Sequence, residues 1–442
     1  MNEIQIQFKG DRDATGPLTW PQRRTWRGSR FKYRLVGIQP LPQGRTLQEV
    51  CDAITWAYGA FEALRTTYPS GPDGEPYQKV KMSGSAGIRL VEGREPTLEA
   101  DIQAAVDAFK RERHDIETEI GVVFALMIST GVPTHLICLG SHLALDAYGY
   151  QVLRGALNDH LSGKPHVAPT SSMQPIERAL TEQLPLGQEQ NVQALRYWRT
   201  ILEKLPTETT AHQAATMTSP ALRTAASYIA MRHRASASSV CLAAVAVVAG
   251  ALTKRSICSF KTMVSNRFTP EERSLVGELV QFAPGIIDSL DDSFEVIVRD
   301  TWQATLNGYK FGHYDEQALL KMIDDMNERD EEELLFDIAF NDTRSTGWEN
   351  PRGYSRNLQE MTGQTVVEPR AHHYQGPSRY ISVALWNLGK EDLSVNVHRG
   401  RFPGVDVQRI PLAIEALLVG VATGEPEQTK HPLSFISEYL NP

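Results

Sequence analysis

Cysteine is scarce in this chain: 442 residues hold Cys51, Cys138, Cys241 and Cys258, with no Cys-x-x-Cys pair and no histidine at metal-ligand spacing. Their apolar or helical surroundings mark them as reduced core residues of a cytoplasmic protein, not as a disulfide framework. Positive charge is also lacking. Acidic residues outnumber basic ones by 53 to 45 for a net charge of −8, so the counterion release that rewards nucleic-acid binding has little to act on. No apolar run approaches the roughly 20 residues of a membrane span. The longest, residues 240–252, is rich in Ala and Val and suits a buried helix. The first ten residues lack the apolar core of a signal peptide. No unit of 20–50 residues recurs, which excludes solenoids and propellers. Neither nucleic acid nor membrane is therefore expected as a partner.

What is present is the composition of an enzyme-sized globule, with 41% hydrophobic and 22% charged residues, incompatible with collagenous, coiled-coil or disordered chains. Ile4, Ile6 and Phe8 alternate with polar neighbours as in a half-buried strand. Val50, Ile54, Ala57, Phe61 and Leu64 line one face of a helix expected over 46–67, and a second helix follows Glu99. Residues 122–128 and 134–139 read as buried strands, the latter running into Gly140-Ser141-His142. The second half repeats the mixture, with helices at 240–252, 295–306 and 316–326 and strands near 257–263, 335–340 and 381–385. Ser, Gly and Pro gather between Leu161 and Pro185, so two domains are expected, 1–172 and 173–442. The acidic run 328–333 is read as a solvated helix end or loop, not an ion site.

Chemistry concentrates in Gly140-Ser-His-Leu-Ala-Leu-Asp-Ala-Tyr-Gly149. Histidine is the side chain best suited to exchange a proton near neutral pH, and a carboxylate four residues on can fix the loop that presents it. A lone His-x-x-x-Asp is a weak signal, but here it has company in a fixed order. The chain resembles the condensation domains of nonribosomal peptide synthetases, whose signature is His-His-x-x-x-Asp-Gly. Residues 17–26, Pro-Leu-Thr-Trp-Pro-Gln-Arg-Arg-Thr-Trp, are similar to that family's opening Leu-Ser-x-Ala-Gln-x-Arg-x-Trp. Phe61-Glu-Ala-Leu-Arg-Thr66 is similar to its Arg-His-x-x-Leu-Arg-Thr. Tyr197-Trp198 with Leu202, Val264-Ser-Asn-Arg-Phe268 and Leu275-Val-Gly277 resemble later segments.

The resemblance implies an α/β fold of two chloramphenicol acetyltransferase-like subdomains, arranged as a V-shaped pseudodimer with a tunnel between them. It implies that His142 is the catalytic histidine and that Asp146 pairs with Arg65. Three positions depart from the family pattern: Ser141 replaces the first histidine, Ala147 the glycine, and Gly149 a frequent serine. Ser141, Ala147, Gly149 and Asn341 are candidates for tunnel or oxyanion contacts, Ala147 through a backbone N–H that could donate to a developing oxyanion. His372-His373 would suggest a metal only with further ligands. Gly-rich phosphate loops, nucleotide fingerprints and Gly-x-Ser-x-Gly elbows are missing.

The function implied is that of a free-standing, monomeric acyltransferase of natural-product biosynthesis. It would join an acyl or aminoacyl thioester on a carrier protein to an amine or hydroxyl acceptor, small or carrier-bound. Phosphopantetheine would belong to the acyl or peptidyl carrier protein, with no cofactor or metal on this chain. His142 would serve as a general base or as a positioning hydrogen-bond partner. The alternative is an inactive platform that recruits a tailoring enzyme to a carrier-bound peptide, which Ser141 and Ala147 favour. Epimerisation of a carrier-bound residue is a third reading, tied to domains set inside a synthetase.

Overall fold

The computed structural model describes residues 2–29, 35–94, 97–164, 173–205, 213–330, 336–342, 358–369, 381–388, 392–399 and 405–440. His372, His373 and the 331–333 end of the acidic run lie outside the described residues. The chain forms two compact units. The first is Met1–Val192 with Ser265–Gln281 and Tyr314–Gln317; the second is Gln193–Val264 with Phe282–His313 and Ala318–Pro442.

This division differs from a single cut after residue 172. A run rich in Ser and Pro marks where the backbone is irregular, not where the chain changes packing partners. Beyond it Ile176 is buried against Gly16, at which a Cβ would lie 2.7 Å from the isoleucine Cγ2, so residues 173–192 stay with the first unit.

In the first unit β1 (Asn2–Lys9), β2 (Leu35–Pro40), β3 (Ser83–Glu92), β4 (Val122–Ser129) and β5 (Val132–Gly140) form one sheet in the order β1-β3-β4-β5-β2. The β3–β4 pair is parallel and the other neighbours are antiparallel. Its helices are α1 (Trp20–Ser29), α2 (Leu47–Ala60), α3 (Leu98–Arg111), α4 (Ala147–Leu161), α5 (Pro175–Gln183) and the start of α6 (Pro185–Leu202). Phe124, Leu126, Leu136 and Cys138 face a core shared with Ile54, Ala57, Leu153 and Leu157 of α2 and α4. Ala125, Met127, Ile137 and Leu139 face Ile102, Val106 and Phe109 of α3. Both faces being covered, β4 carries apolar residues without alternation, as a doubly buried strand must.

Helix α2 begins where Thr46 and Glu49 form a reciprocal capping box, Glu49 N–H donating to Thr46 Oγ1 at 3.2 Å and Thr46 N–H to Glu49 Oε2 at 2.7 Å. It stops at Ala60 and does not reach residue 67. The next residues form a short 3₁₀ turn, Glu62–Arg65, that turns Glu62 inward to meet Arg12 at 2.7 Å. Thr66–Thr67 then joins a small sheet with Tyr77–Val80 and Ala14–Pro17.

Among the described residues the sheet of the second unit is built from β6 (Gln213–Ser219), β7 (Cys258–Val264), β8 (Gln281–Ile287), β9 (Ile338–Asp342), β10 (Val366–Pro369), β11 (Ile381–Leu388) and β12 (Asp392–Arg399). Their order is β8-β7-β9-β11-β12-β6-β10. Helices α7 (Pro220–His233) and α8 (Ala237–Thr253) pack against this unit's core. Every residue of α8 from Val240 to Gly250 is buried, which explains an apolar sequence with no polar face. No single helix among the described residues is long and apolar enough to cross a membrane. Tyr197 stacks on Phe311 at 4.6 Å and Trp198 meets Phe336 edge-on at 6.0 Å, so both pack within the second unit. All four cysteines are buried, and none is joined in a disulfide.

Glu182 on α5 accepts a hydrogen bond from Trp20 N–H at 2.8 Å, tying α5 to the start of α1. Burial pushes its carboxyl up to about 8, against the pull of Arg178 and Arg23. A carboxyl raised on folding contributes stability that is fully present below its unfolded pKa and is lost as pH rises through the folded one. Urea midpoints of the wild type should therefore fall between about pH 5 and pH 8 relative to Glu182→Gln, which keeps the acceptor without the ionisation. Parallel pH curves for the two proteins would contradict this account of Glu182.

Candidate active site

Strand β5 delivers the chain into a tight turn. Ser141 N–H donates to Gly121 O at 2.8 Å, Ala144 N–H to Ser141 O at 2.9 Å, and Leu143 N–H to Ser141 Oγ at 3.2 Å. A serine hydroxyl thus organises the turn from a fully buried position. Leu143, Ala144 and Leu145 are completely buried, and the Leu143 carbonyl accepts from Gln22 Nε2 at 2.8 Å and Tyr68 Oη at 3.0 Å. With its neighbours anchored inward, His142 remains partly open, its side chain 38% accessible. The opening motif's Gln22 therefore acts by holding the histidine loop.

Asp146 ends the loop as the N-cap of α4. Its Oδ1 accepts Gly149 N–H at 2.7 Å, the preferred role of an aspartate at a helix start. Its Oδ2 accepts Arg267 Nη1 at 2.7 Å and Leu279 N–H at 2.9 Å, and its own N–H donates to Gly277 O at 3.2 Å. Aspartate and arginine side chains are 2% and 1% accessible, so each charge is neutralised by the other. Arg267 also donates to Gly277 O at 3.0 Å and lies 4.8 Å from the Tyr148 ring.

Arg65, expected as the partner of Asp146, does not pair with it. It is buried 3.9 Å from Glu62, and its Nη1 donates to Lys81 O at 2.8 Å and Arg12 O at 3.1 Å. Because α2 ends early, Arg65 is carried on the 3₁₀ turn against Gly10, whose missing side chain makes room for the guanidinium. Arg65 supports the fold near the small sheet and not the His142 loop. The cation that meets Asp146 comes instead from the Asn-Arg segment, 121 residues away in sequence.

The Leu275-Val-Gly277 segment that follows leads into a carboxylate that sequence reading did not single out. Glu278, with a side chain only 1% accessible, places Oε2 3.5 Å from His142 Nδ1, while its Oε1 lies 3.4 Å from Arg24 Nη2. Its one sequence signal is an acid directly after Val276-Gly277. Burial acts to lower the proton affinity of His142, but Glu278, with a smaller contribution from Asp146, outweighs it and leaves the imidazole pKa raised. Burial also raises Glu278, against the effect of His142.

Ala147 is the exposed first residue of α4 and is absent from the positive-φ residues, so glycine's freedom is not needed there. Gly149 is different: a Cβ there would lie 2.8 Å from Gly277 O and 3.0 Å from Gly277 N. Asn341 sits on β9 of the second unit, in register with Ala384 and half-buried. Among the described residues no group of three or more His, Cys, Asp or Glu is placed to hold a metal ion.

Two outcomes follow for the pair and its glycine. In urea unfolding, Asp146→Ala and Arg267→Ala should each cost about 3–5 kcal/mol with strong coupling in a double-mutant cycle, whereas Asp146 and Arg65 should be additive within about 0.5 kcal/mol. Additivity for Asp146 and Arg267 would contradict the pairing. Gly149→Ala should cost about 1–3 kcal/mol by forcing the Gly277 backbone away; unchanged stability would show that this backbone yields freely.

The matches with known proteins bear on this geometry. No curated protein sequence matches the chain. Among solved structures, the chain is similar to one on condensation domain-mediated chain release from the enacyloxin polyketide synthase, with 15% identity, TM-score 0.70, 93% of this chain and 83% of that one covered. SgcC5 from Streptomyces globisporus gives 14% identity, TM-score 0.67 and coverage of 93% and 100%. The X-domain in complex with OxyB from teicoplanin biosynthesis gives 15%, 0.63 and 96% of each chain. These likenesses show the fold, the doubled chloramphenicol acetyltransferase-like architecture of condensation domains. A family model for the condensation domain matches residues 17–391. That stretch contains His142, Asp146, Arg267 and Glu278, and on this match the chain belongs to the condensation-domain family.

Proposed function

We propose that this chain transfers an acyl or aminoacyl group from a carrier-protein thioester to an amine or hydroxyl acceptor, with His142 receiving the acceptor's proton. The observation that carries the reading is the state of His142: partly open to reactants, on a loop anchored by buried residues, with a carboxylate behind it. As nitrogen or oxygen bonds to the thioester carbon, its proton passes to the imidazole. The carbon–sulfur bond then breaks, and the departing thiolate takes that proton, leaving an amide or ester and the free phosphopantetheine thiol. The donor and its pantetheine arm come from an acyl or peptidyl carrier protein, and this chain supplies the base and the frame that holds it.

A second reading has support in one residue and one relative. Ser141 occupies the position of the family's first histidine, and an X-domain of similar fold is known in complex with OxyB. On that reading the chain is a platform for a tailoring enzyme.

Product formation from a loaded carrier protein separates the two. His142→Ala should fold, still bind the carrier, and lose about 10²–10⁴ in rate, or roughly 3–5 kcal/mol of barrier, mainly in kcat. Since the neutral imidazole is the working form and its pKa is raised, kcat/KM of the wild type should climb with pH through a value above that of free histidine. Equal rates for wild type and His142→Ala, or no product from either with any acceptor, would favour the platform.

A further inference from the structure

The buried carboxylate of Glu278 is only partly compensated by the contacts around it. Burying an ionised group is costly unless strong partners compensate. Arg24 approaches Glu278 Oε1 only to 3.4 Å and is shared with Val280 O at 3.4 Å. Glu278 Oε2 has no partner within hydrogen-bonding geometry among the described residues, and His142 Nδ1 faces it at 3.5 Å. The backbone on both sides is fixed by Asp146: Gly277 O receives the Asp146 N–H, and Leu279 N–H donates to Asp146 Oδ2. Leu279 O is held in turn by Asn266 Nδ2 at 3.0 Å. The carboxylate is thus carried to the Nδ1 side of the imidazole by a clamped backbone.

We propose that Glu278 is a positioning residue for His142: it accepts the Nδ1 proton and leaves Nε2 as the nitrogen that meets the acceptor. The second nitrogen of an imidazole takes its tautomer from the bond made by the first, as in hydrolase triads where a buried carboxylate orients the base. During transfer Nε2 takes the acceptor's proton while Nδ1 keeps its own, directed at Glu278 3.5 Å away, whose charge stabilises the imidazolium. When the carbon–sulfur bond breaks, Nε2 returns that proton to the thiolate, and Glu278 itself neither gains nor loses one. The charged and titratable groups around the imidazole are Glu278 and Arg24 from the packed segments, Asp146 from its own loop, and Arg267 beyond Asp146; Tyr68 neighbours Glu278. Of these, Glu278 and Asp146 favour the imidazolium and Arg24 opposes it.

The inference rests on His142 as the base, but its test does not need turnover. In the full-length protein with ¹⁵N-labelled histidine, the His142 signals are those lost in His142→Ala. Nitrogen shifts followed across a pH titration report tautomer and pKa directly. Wild type should show the Nδ1–H tautomer when neutral and a pKa above that of free histidine, and Glu278→Gln should lower that pKa by about one unit, a tenfold change in proton affinity. In turnover, Glu278→Gln should shift the acid limb of the pH profile to lower pH and reduce kcat more than it changes KM. An Nε2–H tautomer in the wild type, or the same pKa in both proteins, would overturn the proposal. If Glu278→Gln does not fold, the wild-type tautomer decides. If no acceptor gives product while tautomer and pKa behave as described, the positioning contact stands and the acyl-transfer reading fails.

Discussion

The Asp146 carboxylate is the point through which the first unit's site is assembled. One oxygen starts α4 by capping Gly149 N–H; the other binds Arg267 and Leu279 N–H, and the residue's own N–H reaches Gly277. A buried carboxylate must fill its acceptor sites, and here three donors from two stretches of chain do so. The end of the histidine loop, the direction of α4 and the placement of residues 265–281 are therefore settled by one side chain. Gly149 completes the constraint, since a Cβ there would meet the Gly277 backbone carried by the same carboxylate.

Around this point the opening motif of the chain has a physical meaning. Gln22 on α1 binds the Leu143 carbonyl, and two residues later Arg24 faces Glu278. Gln22 is held in turn by its own turn, its Oε1 accepting from Thr19 N–H at 2.9 Å. The motif residues thus set the backbone just after His142 and the electrostatics behind it. The cost of this arrangement is the burial of Glu278, whose carboxyl is raised, and the benefit is an imidazole whose proton affinity is raised despite its own burial.

The contrast between Arg65 and Arg267 shows where motif reasoning reaches its limit. Both arginines lie in family-like segments and both are buried, so sequence alone offers two cations for one aspartate. Which one pairs depends on the end of α2, where an early stop at Ala60 turns Arg65 toward Glu62 and the carbonyls of Arg12 and Lys81. That end is set by contacts with distant residues: the Glu62 backbone N–H donates to Gln174 Oε1 at 3.1 Å. Periodicity marks the apolar face of a helix well and its last turn poorly, because the final residues have no partners within the pattern.

Local patterning determined a good deal. The alternation before Gly10, the doubly apolar strands that become β4 and β5, the featureless apolar run of α8 and the apolar face of α2 were all legible, because each follows from periodicities of one element against one core. The ordered motifs likewise identified the family and picked out His142 and Asp146. Tertiary structure alone decided the extent of the two units, the partner of Asp146 and the carboxylate facing His142. Those depend on residues 121 to 136 positions apart in the chain being brought within hydrogen-bonding or ion-pair range, and no spacing within either segment encodes which charge the fold will set against which.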